Sequence, residues 1–207
     1  MKALDERQLL SLLAAIRQTR HYSPVLLAAI TGLRLGEILG LKWGDLNLDC
    51  RECQVVRSVQ RTEEGISFKS PKTRRSRRTV LLPEMAVTAL KAHRAQQNEE
   101  RLLMGPGYQD LDLVFARPDG SIWPPMQFSS DFRRLIRRHG FCIRFHDLRH
   151  THASQLLKAG VPVKVVSERL GHATASITLD VYSHVLPGMQ EAAVAKIDAA
   201  LGKAIGE

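Results

Sequence analysis

The spacing of apolar residues separates one strand-like stretch, residues 53–82, from helical patterns on either side of it. Inside this stretch, residues 54–59, 66–69 and 78–82 alternate or cluster side chains that favour strands. A Glu-Gly pair at positions 64–65 separates the first two runs as a turn would. The pattern predicts a small antiparallel three-stranded sheet in meander order, whose second loop carries a run of basic residues.

Helical spacing dominates the rest of the chain. Asp5 and Gln8 resemble a capping box before the first helix, and Ser23-Pro24 is a start signal for a second helix that Gly32 ends. Further helices are predicted over residues 35–41, 84–104, 127–139, 146–158, 163–170, 174–182 and 189–204. The predicted fold class is therefore mainly α with a small antiparallel sheet (α+β), in one domain without a long linker.

The charge of the chain indicates a polyanionic partner. The net charge is +9 in 207 residues, and 44% of the residues are hydrophobic, which is enough for a substantial core. The longest apolar runs are too short to span a bilayer. The basic residues are clustered, and clustering favours nucleic-acid binding over an evenly solvated basic surface. The clusters are Lys69, Lys72, Arg74, Arg75, Arg77 and Arg78, and then Arg133, Arg134, Arg137 and Arg138.

The three cysteines offer no disulfide framework, which fits a reducing cytoplasm, and the N-terminus does not resemble a signal peptide. Cys50 and Cys53 have the CxxC spacing of a zinc site, but no second pair follows. Zinc at this pair remains a minor alternative.

One predicted helix carries several basic side chains on its apolar face. His146, Arg149 and His150 share a face with the apolar residues that follow, whereas Asp147, Thr151 and Lys158 are expected on the other side. A buried cation needs an anionic partner, which could be a carboxylate such as that of Glu37 or a phosphate near the helix N-terminus. A structural histidine cluster is the competing interpretation.

Elsewhere in the chain, other side chains complete the requirements for metal-free phosphoryl transfer. Two arginines, Arg34 and Arg149, can clamp a phosphate, Lys72 or a histidine can move protons, and Tyr182 can form a covalent intermediate. Each residue also has a plainer explanation. Arg34 and Glu37 could form a surface ion pair, Lys72 could be solvated, His172 could cap a helix end, and Tyr182 could be a half-buried core residue.

The ordered set is more specific than any member, and it resembles the catalytic domain of the tyrosine recombinase (phage integrase) family. The resemblance runs from near residue 1 to beyond Tyr182. The matching segments are TGLRLGE at 31–37, PKTRRSRRTVLLP at 71–83, HDLRHTHAS at 146–154, LGH at 170–172 and TLDVYSHV at 178–185.

The resemblance implies a role for each residue of the site. Tyr182 would attack a DNA phosphodiester and form a 3′-phosphotyrosyl link. Arg34, Arg149 and His172 would hold the nonbridging oxygens, and Lys72 would protonate the leaving 5′ oxygen. His146 would act on the tyrosine proton. Glu37 and His150 would be supporting residues that orient the arginines and the site. The expected DNA contacts come from the first basic cluster and are Arg74, Arg75, Arg77 and Arg78.

It also implies a setting for the chain. The catalytic domain is expected over residues 1–207, with a C-terminal tail helix at about 188–204. The N-terminal core-binding and arm-binding domains would be absent, so that the chain would be either a fragment, which we favour, or a shortened relative. We expect no metal or other cofactor, double-stranded DNA as partner, a homotetramer in the synaptic complex and a monomer as the isolated domain. The expected location is the bacterial cytoplasm, in association with the nucleoid. The protein would be encoded by a bacterium or a phage.

Two other classes of function remain open at this point. His146 and His150 are spaced as in zinc-binding helices, so a metalloenzyme is one alternative, although Arg149 would repel the metal. A DNA-binding module without catalysis is the other alternative. Relaxation of supercoiled DNA, as a topoisomerase performs it, is a related activity that the sequence allows.

Overall fold

The computed structural model describes residues 3–63, 65–69, 77–182, 194 and 197–198. Within these ranges the helices are α1 Glu6–Ala15, α2 Tyr22–Thr31, α3 Leu35–Leu39, α4 Glu84–Met104, α5 Pro125–Arg137, α6 Phe145–Lys158, α7 Val163–Leu170 and α8 Ala175–Tyr182. The strands are β1 Leu46–Asn47, β2 Glu52–Val55, β3 Ser58–Thr62, β4 Gly65–Lys69 and β5 Arg78–Leu81. The predicted tail helix lies outside the described residues except at positions 194 and 197–198, which are helical.

The helix boundaries follow local chemistry in most places. At α1 the predicted capping box is confirmed, because Asp5 Oδ1 accepts from the Gln8 backbone at 2.8 Å and Gln8 Oε1 accepts from the Asp5 backbone at 3.1 Å. Gly32 ends α2 in the left-handed region, at φ +70°. The predicted serine cap of α2 is wrong. That helix begins at Tyr22, so Ser23 and Pro24 lie in its first turn. The missing N–H of proline costs no hydrogen bond there, because first-turn N–H groups have no partner within the helix.

The strands form two sheets rather than the predicted meander. β2 is the central strand of an antiparallel sheet in the order β1-β2-β5, and β3 pairs with β4 as a separate hairpin. The physical reason is burial. Cys53, Val55 and Val80 on β2 and β5 face the core, whereas no residue of β4 is buried. The strand pattern therefore located β4 and β5, but it merged β2 and β3 into one run, missed β1 and could not identify the strand partners.

The core has two parts that meet at α6. The larger cluster joins α1 to α5, the sheet and the start of α6, and the smaller one is formed by α6, α7 and α8. Tyr182 belongs to the smaller cluster, together with Ala153, Leu157, Val166 and Leu170. None of the described helices combines the length and the apolarity that crossing a membrane requires.

The prediction that Asp147 and Thr151 lie on the side of α6 away from the core is wrong, whereas Lys158 is exposed as expected. Thr151 is fully buried and Asp147 is 3% exposed. The reason is that α6 packs against α2, α5 and α7, so neither side of it is free. Thr151 Oγ1 donates to the Asp147 carbonyl at 2.9 Å and accepts from the Leu4 backbone at 3.0 Å, which ties α6 to the segment before α1.

Candidate active site

Arg149 is the buried cation of the site. It is 3% exposed, and its two terminal nitrogens donate to the carbonyls of Gly32 and Leu170, each at 2.7 Å. These carbonyls lie at the C-terminal ends of α2 and α7, where the helix dipole favours a cation. Burial, with the nearby charge of Arg34, lowers the pKa of Arg149 to about 9. Arg149 is therefore charged at neutral pH, and it is held by neutral oxygens.

Glu37 does not pair with Arg149, contrary to one prediction. Its two oxygens accept from Arg78 at 3.0 and 2.9 Å, and Oε1 also accepts from Arg34 Nη1 at 3.0 Å. Burial acts to raise the pKa of this carboxyl group, but the hydrogen bonds and charge of Arg78, followed by those of Arg34, outweigh it and the pKa is lowered. Glu37 is thus a buried anion shared by two arginines.

Arg78 is consequently an internal residue rather than the predicted DNA contact. Its side chain is 9% exposed, and besides Glu37 it donates through Nε to the Arg169 carbonyl at 3.0 Å. Arg77, its neighbour, is exposed and remains a candidate for DNA binding. The predicted general acid Lys72 and the predicted DNA-binding residues Arg74 and Arg75 lie outside the described residues.

Tyr182 contacts His150. The tyrosine residue is 2% exposed, and its hydroxyl oxygen lies 2.8 Å from His150 Nδ1. Burial raises the pKa of the phenol, against a smaller opposite effect of Arg149. Burial, followed by the charge of His146, lowers the pKa of His150 to about 4. A neutral imidazole is therefore placed to accept the phenolic proton at neutral pH.

His146 does not make this contact. The resemblance assigned the tyrosine proton to His146, but its ring lies beside His150, with the centroids 4.9 Å apart, at the exposed end of α6. Burial, then the charges of Arg149 and Arg34, lowers the pKa of His146. The structure thus brings both histidines to the site, and His150 rather than His146 contacts Tyr182.

His172 follows the end of α7 and contacts α8. Its Nδ1 lies 2.8 Å from the hydroxyl oxygen of Thr178, a fully buried residue. Burial, with the charges of Arg149 and Arg34, lowers the pKa of His172 to about 4. The interpretation of His172 as a simple helix cap does not describe this environment, because its ring is directed at a side chain of the next helix.

The charges of the assembled site favour an anion. The site holds the guanidinium groups of Arg34, Arg78 and Arg149. Arg34 and Arg78 share the carboxylate of Glu37, Arg149 donates to backbone carbonyls, and the two histidines that contact α8 are neutral at neutral pH. The side chain of Arg34 is 44% exposed, so solvent reaches this cluster. A phosphodiester carries the negative charge and the planar oxygen pairs that such a cluster can bind.

Metal binding has little support in the part of the chain that the structure describes. No three His, Cys, Asp or Glu side chains are grouped there as metal ligands. At the CxxC pair, Cys50 is exposed whereas Cys53 is buried, and burial raises the pKa of the Cys53 thiol to about 12. A protonated, buried sulfur is a poor zinc ligand.

The second basic cluster lies on α5. Its arginines are exposed, on the side of the helix opposite to the buried Phe128, Phe132 and Ile136. The exposed arginines are Arg133, Arg134, Arg137 and Arg138. This arrangement confirms a basic surface patch.

Comparison with known proteins agrees with this geometry. The sequence pattern of the phage integrase family matches residues 2–189. The chain belongs to the phage integrase family. A XerC-like tyrosine recombinase of Caldanaerobacter subterraneus subsp. tengcongensis is 36% identical over 207 residues, which cover 94% of this chain and 53% of the relative. The ICEBs1 integrase of Bacillus subtilis is 31% identical, over 83% of this chain and 46% of the relative. The chain thus spans about half the length of these two integrase family relatives.

Solved structures share the integrase family fold. Tn1549 transposon integrase (residues 82–397 of that protein) in complex with a circular intermediate DNA superposes with a TM-score of 0.81 at 22% identity, over 95% of this chain and 67% of that one. XerA recombinase superposes with a TM-score of 0.69 at 24% identity, over 97% of this chain and 65% of that one. The catalytic domain of bacteriophage HP1 integrase gives 0.60 at 21% identity, over 94% of both chains. The predicted fold class is confirmed.

One residue of the site, Thr178, was missed in the sequence, and another, Arg78, was predicted in a different role. Thr178 gave one signal, because it lies four positions before Tyr182 and therefore on the same face of a helix. The pairing of Arg78 with Glu37 gave none, since it joins a strand to a helix across 41 positions of the chain.

Proposed function

We propose that this chain is the catalytic domain of a tyrosine-type site-specific recombinase, which cleaves and rejoins double-stranded DNA through a 3′-phosphotyrosyl intermediate. The observation that carries the proposal is the placement of the Tyr182 hydroxyl at a neutral histidine, in a cluster with an excess of guanidinium groups. A DNA-binding module without catalysis needs the arginines but has no use for a buried tyrosine hydrogen-bonded in this way.

The reaction divides among the residues of the site. The Tyr182 oxygen attacks phosphorus while its proton passes to His150, and the 5′ oxygen of the next nucleotide leaves with a proton that Lys72 supplies. Arg34, Arg149 and His172 bind the nonbridging oxygens and stabilise the charge of the transition state. One P–O bond forms as another breaks, so rejoining by the reverse steps needs no ATP. Glu37 supports Arg34, and Arg77 binds the DNA backbone.

The biological setting is part of the same proposal. The partner is double-stranded DNA, and the complex of Tn1549 transposon integrase with a circular intermediate DNA supports a DNA partner. The synaptic complex is a homotetramer. The chain acts in the cytoplasm, at the nucleoid, and requires no cofactor. Integration of DNA is the reaction that the name of the ICEBs1 integrase supports, and excision would be its reversal.

A covalent-adduct assay tests the proposal. Wild-type protein and Tyr182→Phe are incubated in excess EDTA with a pool of nicked duplexes of randomised sequence, in which a cleaved end diffuses away and traps the intermediate. Adducts are then separated in SDS. We expect adducts with the wild type alone, because the substitution removes one oxygen atom and leaves the arginines that bind DNA.

The control is a binding measurement on the same pool. Tyr182→Phe should retain the DNA as well as the wild type does. A wild-type protein that retained the pool and formed no adduct would be a DNA-binding module, and the recombinase proposal would be rejected. Adducts that EDTA abolished would instead favour metal-dependent chemistry.

A further inference from the structure

α8 carries two side chains that each contact a different histidine. Thr178 and Tyr182 are its buried residues, and four positions place them on one face, one turn apart. The Tyr182 oxygen lies 2.8 Å from His150 Nδ1, and the Thr178 oxygen lies 2.8 Å from His172 Nδ1. The docking of one short helix therefore makes both contacts at once.

Thr178 uses its hydroxyl group differently from other threonines in helices of this chain. Thr31, Thr88 and Thr151 each donate back to the carbonyl four residues earlier, on Leu27, Glu84 and Asp147. The corresponding carbonyl for Thr178 is that of Thr174, which accepts instead from Ser167 Oγ at 3.2 Å. Within the described ranges, His172 Nδ1 is the hydrogen-bond partner of the Thr178 hydroxyl.

The burial of Thr178 decides the direction of this hydrogen bond. The residue is fully buried, so a hydroxyl hydrogen without an acceptor would be costly. The hydroxyl group must therefore donate, and His172 Nδ1 must accept. A neutral imidazole that accepts at Nδ1 carries its proton at Nε2. The low pKa of His172, about 4 because of burial and nearby arginines, keeps the ring neutral.

We propose that Thr178 is a positioning residue that fixes the Nε2–H tautomer of His172, and that it does so when α8 brings Tyr182 to His150. This inference rests on the proposed function, since it gives His172 the donor that a phosphoryl oxygen requires. Docking of the nucleophile and preparation of the phosphate-binding histidine are then one event. A site whose tyrosine helix is withdrawn loses the tautomer as well as the nucleophile.

The first test needs no DNA. ¹⁵N NMR spectra that correlate ring nitrogens with ring protons are recorded at neutral pH for the wild type, Thr178→Val and Thr178→Ser. We expect His172 to be protonated at Nε2 in the wild type and in the serine variant, and to become a mixture of tautomers in the valine variant. An Nδ1–H tautomer in the wild type, or an unchanged tautomer in Thr178→Val, would overturn the proposal.

The second test is the rate of adduct formation in one turnover. Adduct formation by Thr178→Val should be slower by about 10- to 100-fold, the typical loss when a hydrogen bond that orients a metal-ligating side chain is removed. Thr178→Ser should restore the rate. Thr151→Val is the matched control, because it removes a buried threonine hydroxyl group that does not contact a site histidine. A slow Thr178→Ser, or an equally slow Thr151→Val, would indicate packing alone and reject the positioning role. If the wild type formed no adduct, the proposed function would fail, while the NMR result would still decide the tautomer.

Discussion

At the scale of single residues, the site is a set of groups whose charge states are set by burial. Burial keeps His150 and His172 neutral, while Arg149 stays protonated because two helix-end carbonyls hold it. The chemical types of these residues could be predicted from the sequence, because each carries a function that few side chains share. Their contacts could not, since a spacing of four residues gives no way to tell whether His146 or His150 reaches Tyr182.

His150 should matter more than His146 for cleavage. His150→Ala removes the group that contacts the phenol, and the loss of a general base typically slows a reaction about 10²–10⁴-fold. His146→Ala should cost less, because its ring contacts His150 and not Tyr182. Adduct formation in one turnover measures both variants. The reverse ranking would return the role of base to His146.

The pH dependence provides a second readout of the same group. The pKa of His150 is lowered from 6.5 to about 4, so the base stays unprotonated below the range in which an ordinary histidine charges. Cleavage by the wild type should persist as the pH falls below 6.5 and decline only toward about 4. A decline centred near 6.5 would show that His150 is not the controlling base.

At the scale of elements, Arg78 links β5 to α3 and to the end of α7. It donates to Glu37 on α3 and to the Arg169 carbonyl on α7, and a Cβ at Gly171 would lie 2.7 Å from its guanidinium. The helices were predictable from periodicity and caps, and α7 has its predicted bounds of 163–170. The pairing of the strands could not be predicted, because β2 and β5 are distant in the sequence and meet only where their buried side chains pack into the same core.

Replacing Arg78 should destabilise the fold. Arg78→Met leaves Glu37 buried with only the partly exposed Arg34 as partner, and breaking one side of a buried pair typically costs about 3 kcal/mol or more. Arg77→Met, one position earlier and exposed, should change the free energy of unfolding by less than about 0.5 kcal/mol. Urea unfolding at neutral pH compares the two. Equal stabilities would show that the Arg78–Glu37 pair contributes nothing.

At the scale of the whole molecule, α2, α6, α7 and β5 are joined by a polar network around the buried His152. Arg169 donates to His152 Nε2 at 3.2 Å and to the carbonyls of Ile30 and Leu81, and His152 Nδ1 lies 3.1 Å from the Ala29 carbonyl. Burial, then the charge of Arg169, lowers the pKa of His152 to about 4. The neutral ring, with a donor toward Ala29 and an acceptor toward Arg169, is the form that the fold accommodates.

Stability should therefore fall on acidification. The unfolded chain takes up a proton at His152 near pH 6.5, whereas the folded chain resists until about pH 4, so the free energy of unfolding decreases across this window as the pH falls. His152→Gln should give a shallower slope in unfolding experiments between these pH values, whatever its stability at neutral pH. His139→Gln, at an exposed histidine, is the control and should keep the wild-type slope. An unchanged slope in His152→Gln would contradict the assignment.

The most direct test of the whole account is to identify the residue that carries the DNA. Adducts formed in EDTA are digested with nuclease and protease, and the peptides are sequenced by tandem mass spectrometry. The account predicts a nucleotide joined through its 3′ phosphate to Tyr182. Attachment to Tyr22, to Tyr108 or to any residue that is not a tyrosine would contradict it, as would a 5′-phosphate linkage at Tyr182.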